Sequence, residues 1–230
     1  MKKYCFLWDI DGTLLDTHGA GVRPLENAIE QEFGVSVKLE RGKFSGYTDF
    51  EIISALTATN LDNISCLPKY ESALKHYAIE LEIALSKSRA TAIGNIREVL
   101  IELKTIYGWE SFIGTGNYEG AAAHKLESAG LIEFFPQSHL FGATGSRMKR
   151  PDIIAYARNE LAADFEPIVI GDAPADIRAA KLNNLKVIAT PTGHHSYAEL
   201  NELAPGMVLN RSWSLQDLLE KLTPVRSNND

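Results

Sequence analysis

Residues 4–16 read YCFLWDIDGTLLD, and this stretch sets the frame for the rest of the chain. A run of five largely apolar residues, 4–8, is too short for a helix and has no polar alternation. It therefore reads as a strand buried on both faces. The run stops at Asp9-Ile10-Asp11-Gly12-Thr13. Two carboxylates so close together repel one another, and a bound divalent cation removes that cost. Gly12 lets the chain turn sharply, and carboxylates with a backbone carbonyl are the hard oxygen ligands that Mg2+ prefers. Asp-Gly is also ordinary turn chemistry, so the pair by itself leaves a plain polar turn open.

Outward from this stretch, further short apolar runs at residues 111–114, 139–141, 168–170 and 187–189 also read as buried strands. Helical patterns lie between the later ones. Ile96, Val99, Leu100 and Leu103 form one stripe; Ala122, Leu126 and Ala129 form a second before Gly130; Ile153, Ile154, Ala157 and Leu161 form a third. Pro174 suits the first turn of another helix, with Asn183 and Asn184 as its stop, and Ser214 with Asp217 starts a last one through Leu222. The tail after Pro224 is polar and reads as frayed. Alternation of strand and helix predicts an α/β fold, a Rossmann-like parallel sheet flanked by helices.

One region breaks the alternation. From about residue 16 to about residue 89 the patterns are helical, with no convincing strand. Val22, Leu25, Ile29 and Phe33 form a stripe closed by Gly34; Thr48 and Glu51 make a capping box ahead of Ile52, Ile53 and Leu56; and Tyr70, Leu74, Tyr77, Leu81 and Leu85 follow Pro68. An α/β core of residues 1–16 and 90–230 is thus expected to carry an all-helical cap of residues 17–89, inserted after the first strand. Ligands of open parallel sheets bind beyond the carboxyl ends of the strands, where such an insert can act as a lid.

The chain has 230 residues, 45% of them hydrophobic, enough for a core that holds a partly dry site. A net charge of -7 and the lack of any Lys/Arg stripe argue against a nucleic-acid partner. Cys5 and Cys66 have neither metal-ligand spacing nor a disulfide framework, and the apolar runs are too short for a membrane span or secretory leader. A reducing cytoplasm is the expected setting.

Three more groups sit at strand ends. Asp172 follows Gly171, and Asp176 falls in the first turn of the next helix, where both suit a metal ion or, more plainly, a helix cap. Thr115-Gly116-Asn117 offers a hydroxyl and backbone N–H groups to phosphate oxygens at a strand-to-helix turn. Lys149-Arg150-Pro151 heads a helix and offers a cation to phosphoryl charge, although a solvated helix start has the same composition. His194 and His195 read as a solvated loop, and Trp8, Trp109 and Trp213 as packing.

In this order the four motifs resemble those of the haloacid dehalogenase superfamily, over nearly the whole chain. DIDGTLLDT at residues 9–17 resembles its first motif, Thr115 its second, and Asp172 with Asp176 its fourth. The helical insert, Gly46-Tyr47-Thr48-Asp49, and the run from Thr115-Gly116-Asn117 through Ala123, Lys125, Leu126 and Gly130 are similar to phosphoglycolate-phosphatase-like members. Tyr47, Thr48 and Asp49 are the candidate cap residues to face substrate, with Thr48 equally suited to be only a helix cap. The third motif departs from Lys-Pro; Arg150 is assigned to it, with Lys149 as substitute. Ala92-Ile93-Gly94 stands where relatives often carry Pro-Gly.

The resemblance implies a Mg2+-dependent phosphatase of a small phosphorylated metabolite, monomeric or homodimeric. Asp9 is then the nucleophile and Asp11 the acid/base. Asp9, Asp11 (through its carbonyl), Asp172 and Asp176 serve the metal, and Thr115, Gly116, Asn117, Lys149 and Arg150 bind substrate. A phosphomutase of the same fold, or a binding protein that keeps the fold without turnover, are the alternatives.

Overall fold

The computed structural model describes residues 3–204 and 206–222. Strand β1 (Lys3–Trp8) leads into the short β2 (Leu15–Asp16), followed by helices α1 (Val22–Phe33), α2 (Asp49–Thr57) and α3 (Leu67–Lys87). After β3 (Thr91–Ala92) come α4 (Ile96–Thr105), β4 (Glu110–Tyr118), α5 (Glu119–Ser128), β5 (Leu140–Ala143) and α6 (Arg150–Glu160). The chain then forms β6 (Phe165–Gly171), α7 (Pro174–Leu182), β7 (Lys186–Ala189), α8 (Tyr197–Leu203) and α9 (Leu215–Leu222).

Five strands form one parallel sheet in the order β5-β4-β1-β6-β7. The central strand β1 pairs with β4 on one side and β6 on the other, and Cys5, Phe6, Leu7 and Trp8 are fully buried. Burial on both faces explains why this segment is apolar throughout. The strand order reverses beside β1, so the crevice beyond its carboxyl end is where such sheets place ligands. Trp8 stacks on Trp213 with ring centroids 6.3 Å apart, and Trp109 meets Tyr4 edge-on. The tryptophans are packing elements, as expected.

The helical insert is present. Helices α1 and α3 pack through Leu25, Ala28 and Ile29 against the stripe of Tyr70, Leu74, Tyr77, Leu81 and Leu85. Gly34 ends α1 in the left-handed region at φ 69°, and Thr48 and Glu51 complete the capping box of α2. Residues 17–89 form no strand, but a short ribbon that the sequence does not announce lies at their boundary with the core. Leu15–Asp16 and Thr91–Ala92 pair antiparallel, tying the two chain crossings together where the insert leaves the sheet. Two residues per strand are too few to leave a periodic trace.

Two other boundaries differ. His139 lies in a 3-10 turn ahead of β5. Residues 115–117, expected in a turn after the strand, belong to β4, which runs on to Tyr118 with a shift of register against β5 between Gly114 and Tyr118. Their polarity reflects a strand end that faces a polar site. The tail after Pro224 lies outside the described residues.

Candidate active site

Four strand ends bring one acidic group together. Asp9 follows β1, with its amide donating to the Ile170 carbonyl at 2.8 Å, so the β1–β6 pairing fixes it beside the end of β6. Asp172 follows β6, and Asp176 lies in the first turn of α7. One carboxylate oxygen from each of Asp9, Asp172 and Asp176 lies within 4.8 Å of the others, and all three residues are buried. Asp9 Oδ1 accepts from the Thr115 hydroxyl at 2.9 Å and from Arg150 Nη2 at 2.7 Å. Arg150 Nη2 also bonds Asp176 Oδ1, while Asp176 Oδ2 accepts from the Ala173 amide at 3.1 Å. Thr13 donates to Asp172 Oδ1 at 3.3 Å.

The electrostatics of this group are unbalanced: three buried carboxylates face one guanidinium. Burial, with Asp176 and Asp11 adding to it, pushes the Asp9 carboxyl up to about 6 despite Arg150. Burial and the neighbouring Asp9 and Asp176 charges raise Asp172 well above the usual carboxylate range. Hard oxygen donors with surplus negative charge fit a divalent cation such as Mg2+. Space at the cluster is kept by glycine: a Cβ at Gly12, whose φ is +79°, would come within 2.5 Å of Asp172 Oδ2, and one at Gly193 would collide with the same oxygen.

Asp11 belongs to a second group. Its carboxylate is absent from the three-acid cluster and turns to Lys125 Nζ at 2.6 Å and Asn117 Nδ2 at 2.9 Å, both on Oδ2. Lys125 Nζ also bonds Asn117 Oδ1, and Tyr77 of α3 lies close enough to interact with its charge. Asn117 Nδ2 reaches the Thr115 hydroxyl at 2.8 Å, linking the two groups. Asp49, at the start of α2, accepts from the Tyr118 amide at 2.7 Å; burial pushes its carboxyl up to about 6, with Lys125 opposing. For Lys125, burial alone favours the neutral amine, but Asp11, Tyr77 and Asp49 outweigh it and raise its pKa. Neither Lys125 nor Tyr77 is given a chemical role by the sequence motifs. The available signal is a lysine set among the buried Ala121, Ala122 and Leu126 of α5.

The cation at the head of α6 is Arg150, which is 4% exposed. The substitute role for Lys149 needs correction. Lys149 is exposed, pairs with Asp62 at 2.8 Å, and does not line the cavity above the cluster. Residue 149 precedes the helix in extended conformation and points outward, whereas residue 150 starts the helix and points in. Gly116 is not a cavity-facing group either: a Cβ there would lie 2.8 Å from Arg150 Nη1 and 2.9 Å from the Tyr47 carbonyl, so its bareness lets the insert approach β4. Thr48 of the insert, a helix cap as its sequence suggests, donates to the Met148 carbonyl at 2.6 Å.

A cavity of about 480 Å3 opens above both acidic groups. Asp9, Asp11, Asp172 and Arg150 form its floor, and Val22, Leu25 and Ile52 of the insert contribute an apolar wall. His194 stays exposed in its loop, as expected, yet borders the cavity against Gly42, where a Cβ would lie 3.1 Å from its Nδ1. No helix among the described residues is long and apolar enough to cross a membrane.

Comparisons with known proteins agree with this architecture. A curated sequence from Caldanaerobacter subterraneus subsp. tengcongensis, "Putative pyrophosphatase PpaX", is 23% identical over 222 residues, spanning 96% of both chains. The solved structure of a predicted phosphatase from Clostridium acetobutylicum superposes with a TM-score of 0.71 at 22% identity, covering 96% of this chain and 99% of that one. CbbY from Rhodobacter sphaeroides, solved in complex with phosphate, gives 0.69 at 19% identity over 90% and 93% of the two chains. The family described as haloacid dehalogenase-like hydrolase matches residues 6–190, the span that carries Asp9, Thr115, Arg150, Asp172 and Asp176, and the chain belongs to that family.

Proposed function

We propose that the protein is a Mg2+-dependent phosphatase that hydrolyses a small phosphomonoester through a phosphoaspartyl intermediate on Asp9. The observation that carries this reading is the convergence of Asp9, Asp172 and Asp176, buried and short of positive charge, around one guanidinium and one hydroxyl. Family membership and the phosphatase and pyrophosphatase descriptions of its relatives support it.

The mechanism follows from where the side chains stand. Asp9, Asp172 and the backbone carbonyl of Asp11 would hold the Mg2+, with Asp176 behind them. The ion would supply charge neutralisation for the phosphoryl oxygens. Thr115 and Arg150 hold Asp9 by one oxygen, which orients the carboxylate for in-line attack on phosphorus. Arg150 Nε is buried without a partner and stands as a donor in reserve for a phosphoryl oxygen. As the ester P–O bond breaks, Asp11 gives its proton to the leaving oxygen. Asp11, now ionised, takes a proton from the water that attacks the phosphoaspartate, releasing phosphate and freeing Asp9. The insert, with its apolar wall over the cavity, keeps bulk water out during the first transfer.

The test is a panel of phosphorylated metabolites and aryl phosphates, run with Mg2+ and with chelator. Release of inorganic phosphate that needs Mg2+ and vanishes in Asp9→Asn is the expected result. Phosphate returned to a hexose in place of release would indicate the mutase, and no turnover of any substrate would indicate the binding protein.

A further inference from the structure

Lys125 is the one charged side chain of the second group to which the sequence motifs give no chemical role. It lies on α5, 6% exposed, among the buried Ala121, Ala122 and Leu126. A buried ammonium persists only where its charge and donors are met, and this one bonds Asp11 Oδ2 and Asn117 Oδ1, with Tyr77 and Asp49 close by. Its link to the proposed chemistry is its ion pair with Asp11, at 2.6 Å.

We infer that Lys125, clamped between Asn117 and the insert's Tyr77, is a positioning residue that fixes the Asp11 carboxyl for proton transfer to the leaving group. The inference rests on the proposed role of Asp11 as acid and base. Asp11 needs such a hold. Its side chain is 41% exposed on the cavity wall, just ahead of a left-handed glycine, and without a partner it is free to rotate. Lys125 and Asn117 both grip Oδ2, and among the described residues no hydrogen bond reaches Oδ1. Oδ1 is therefore the oxygen that exchanges the proton with the leaving group and later with water. Lys125 comes from α5, Asn117 from β4 and Asp11 from the loop after β1, and Tyr77 of the insert's α3 borders the grip they form. A misplaced acid costs most where the leaving group most needs its proton.

That dependence gives the test. Phenyl phosphate and p-nitrophenyl phosphate have similar shapes but leaving groups of very different acidity. With Mg2+ present, kcat/KM for the two esters is measured in the wild-type protein, Lys125→Met, Tyr77→Phe and Asp11→Asn. The quantity read is the ratio of phenyl to nitrophenyl kcat/KM within each preparation, so loss of folded protein cancels. In Lys125→Met the ratio is expected to fall on the order of 10-fold, a fraction of what a general acid supplies. Tyr77→Phe should lower it less, in the same direction. Unchanged ratios in both, beside a lowered ratio in Asp11→Asn, would overturn the positioning role and leave Asp11 as the acid. An unchanged ratio in Asp11→Asn would remove the acid assignment and this inference with it. Should Lys125→Met prove inactive, Tyr77→Phe decides alone: a lowered ratio supports the inference and an unchanged one overturns it.

Discussion

Two buried charge groups share the floor of one cavity and are built on opposite principles. Around Asp9, three carboxylates meet one guanidinium, and burial raises Asp9 and Asp172 toward neutrality. Around Asp11, an ammonium and an amide grip one carboxylate oxygen, Asp49 and Tyr77 lie close by, and Lys125 remains charged. The first group is short of positive charge; the second supplies its own cation. An acidic cluster short of cations can bind and turn over charge, whereas an ion-paired one holds one carboxyl still. The division of labour proposed for Asp9 and Asp11 follows from that contrast.

The largest effect expected on the first group comes from Asp9→Asn. It should lower turnover by on the order of 10^3-fold or more while the circular dichroism spectrum is kept, as loss of a nucleophile does. Residual activity near the wild-type level would break the contrast at its root. Next, Arg150→Met should cost on the order of 10^2-fold in kcat/KM, the scale of a lost donor to a developing oxyanion. It should also lower the melting temperature of the metal-free protein, because the buried Asp9 and Asp176 lose the guanidinium they pair with. Thr115→Val removes one hydrogen bond to Asp9 at nearly constant shape and should cost on the order of 10-fold, about one such bond.

Stability against pH sharpens the contrast further. The folded Asp9 carboxyl sits at about 6, above its ordinary value of 3.8. Its contribution to stability is fully present below the ordinary value and is lost as pH rises through about 6. The metal-free protein should therefore melt lower at neutral pH than in mild acid, and saturating Mg2+ should raise the melting temperature most at neutral pH, where Asp9 is ionised. A melting curve indifferent to Mg2+ at neutral pH would count against the cation. The smallest effect belongs to Lys149→Ala: an exposed cation paired with exposed Asp62 should leave kcat/KM within about twofold.

Much of this was legible before any coordinates. The apolar run ending at Asp9 and its counterpart ending at Gly171 announced parallel strands, because burial on both faces leaves no room for polar alternation. The helical insert was equally plain from the stripe of Tyr70, Leu74, Tyr77, Leu81 and Leu85. What stayed hidden depends on contacts between distant segments. Tyr77 reads as one more member of an apolar stripe, and only the seating of α3 against α5 shows that its hydroxyl meets Lys125. The helix pattern counted back from Ala157 assigns Arg150, but a single residue of helix phase keeps Lys149 as its substitute until the burial of each is known. The β2–β3 ribbon rests on pairing between residues far apart in the chain, which leaves no local pattern.

The most direct measurement is rapid acid quench of a reaction with p-nitrophenyl phosphate and Mg2+, followed by peptide mass spectrometry, on the wild-type protein and on Asp11→Asn. With the base removed, release of the phosphoryl group slows, so the adduct should accumulate in Asp11→Asn and map to Asp9. A phosphoryl group on any other residue, or nitrophenol released by both proteins with Asp9 never modified, would contradict the account.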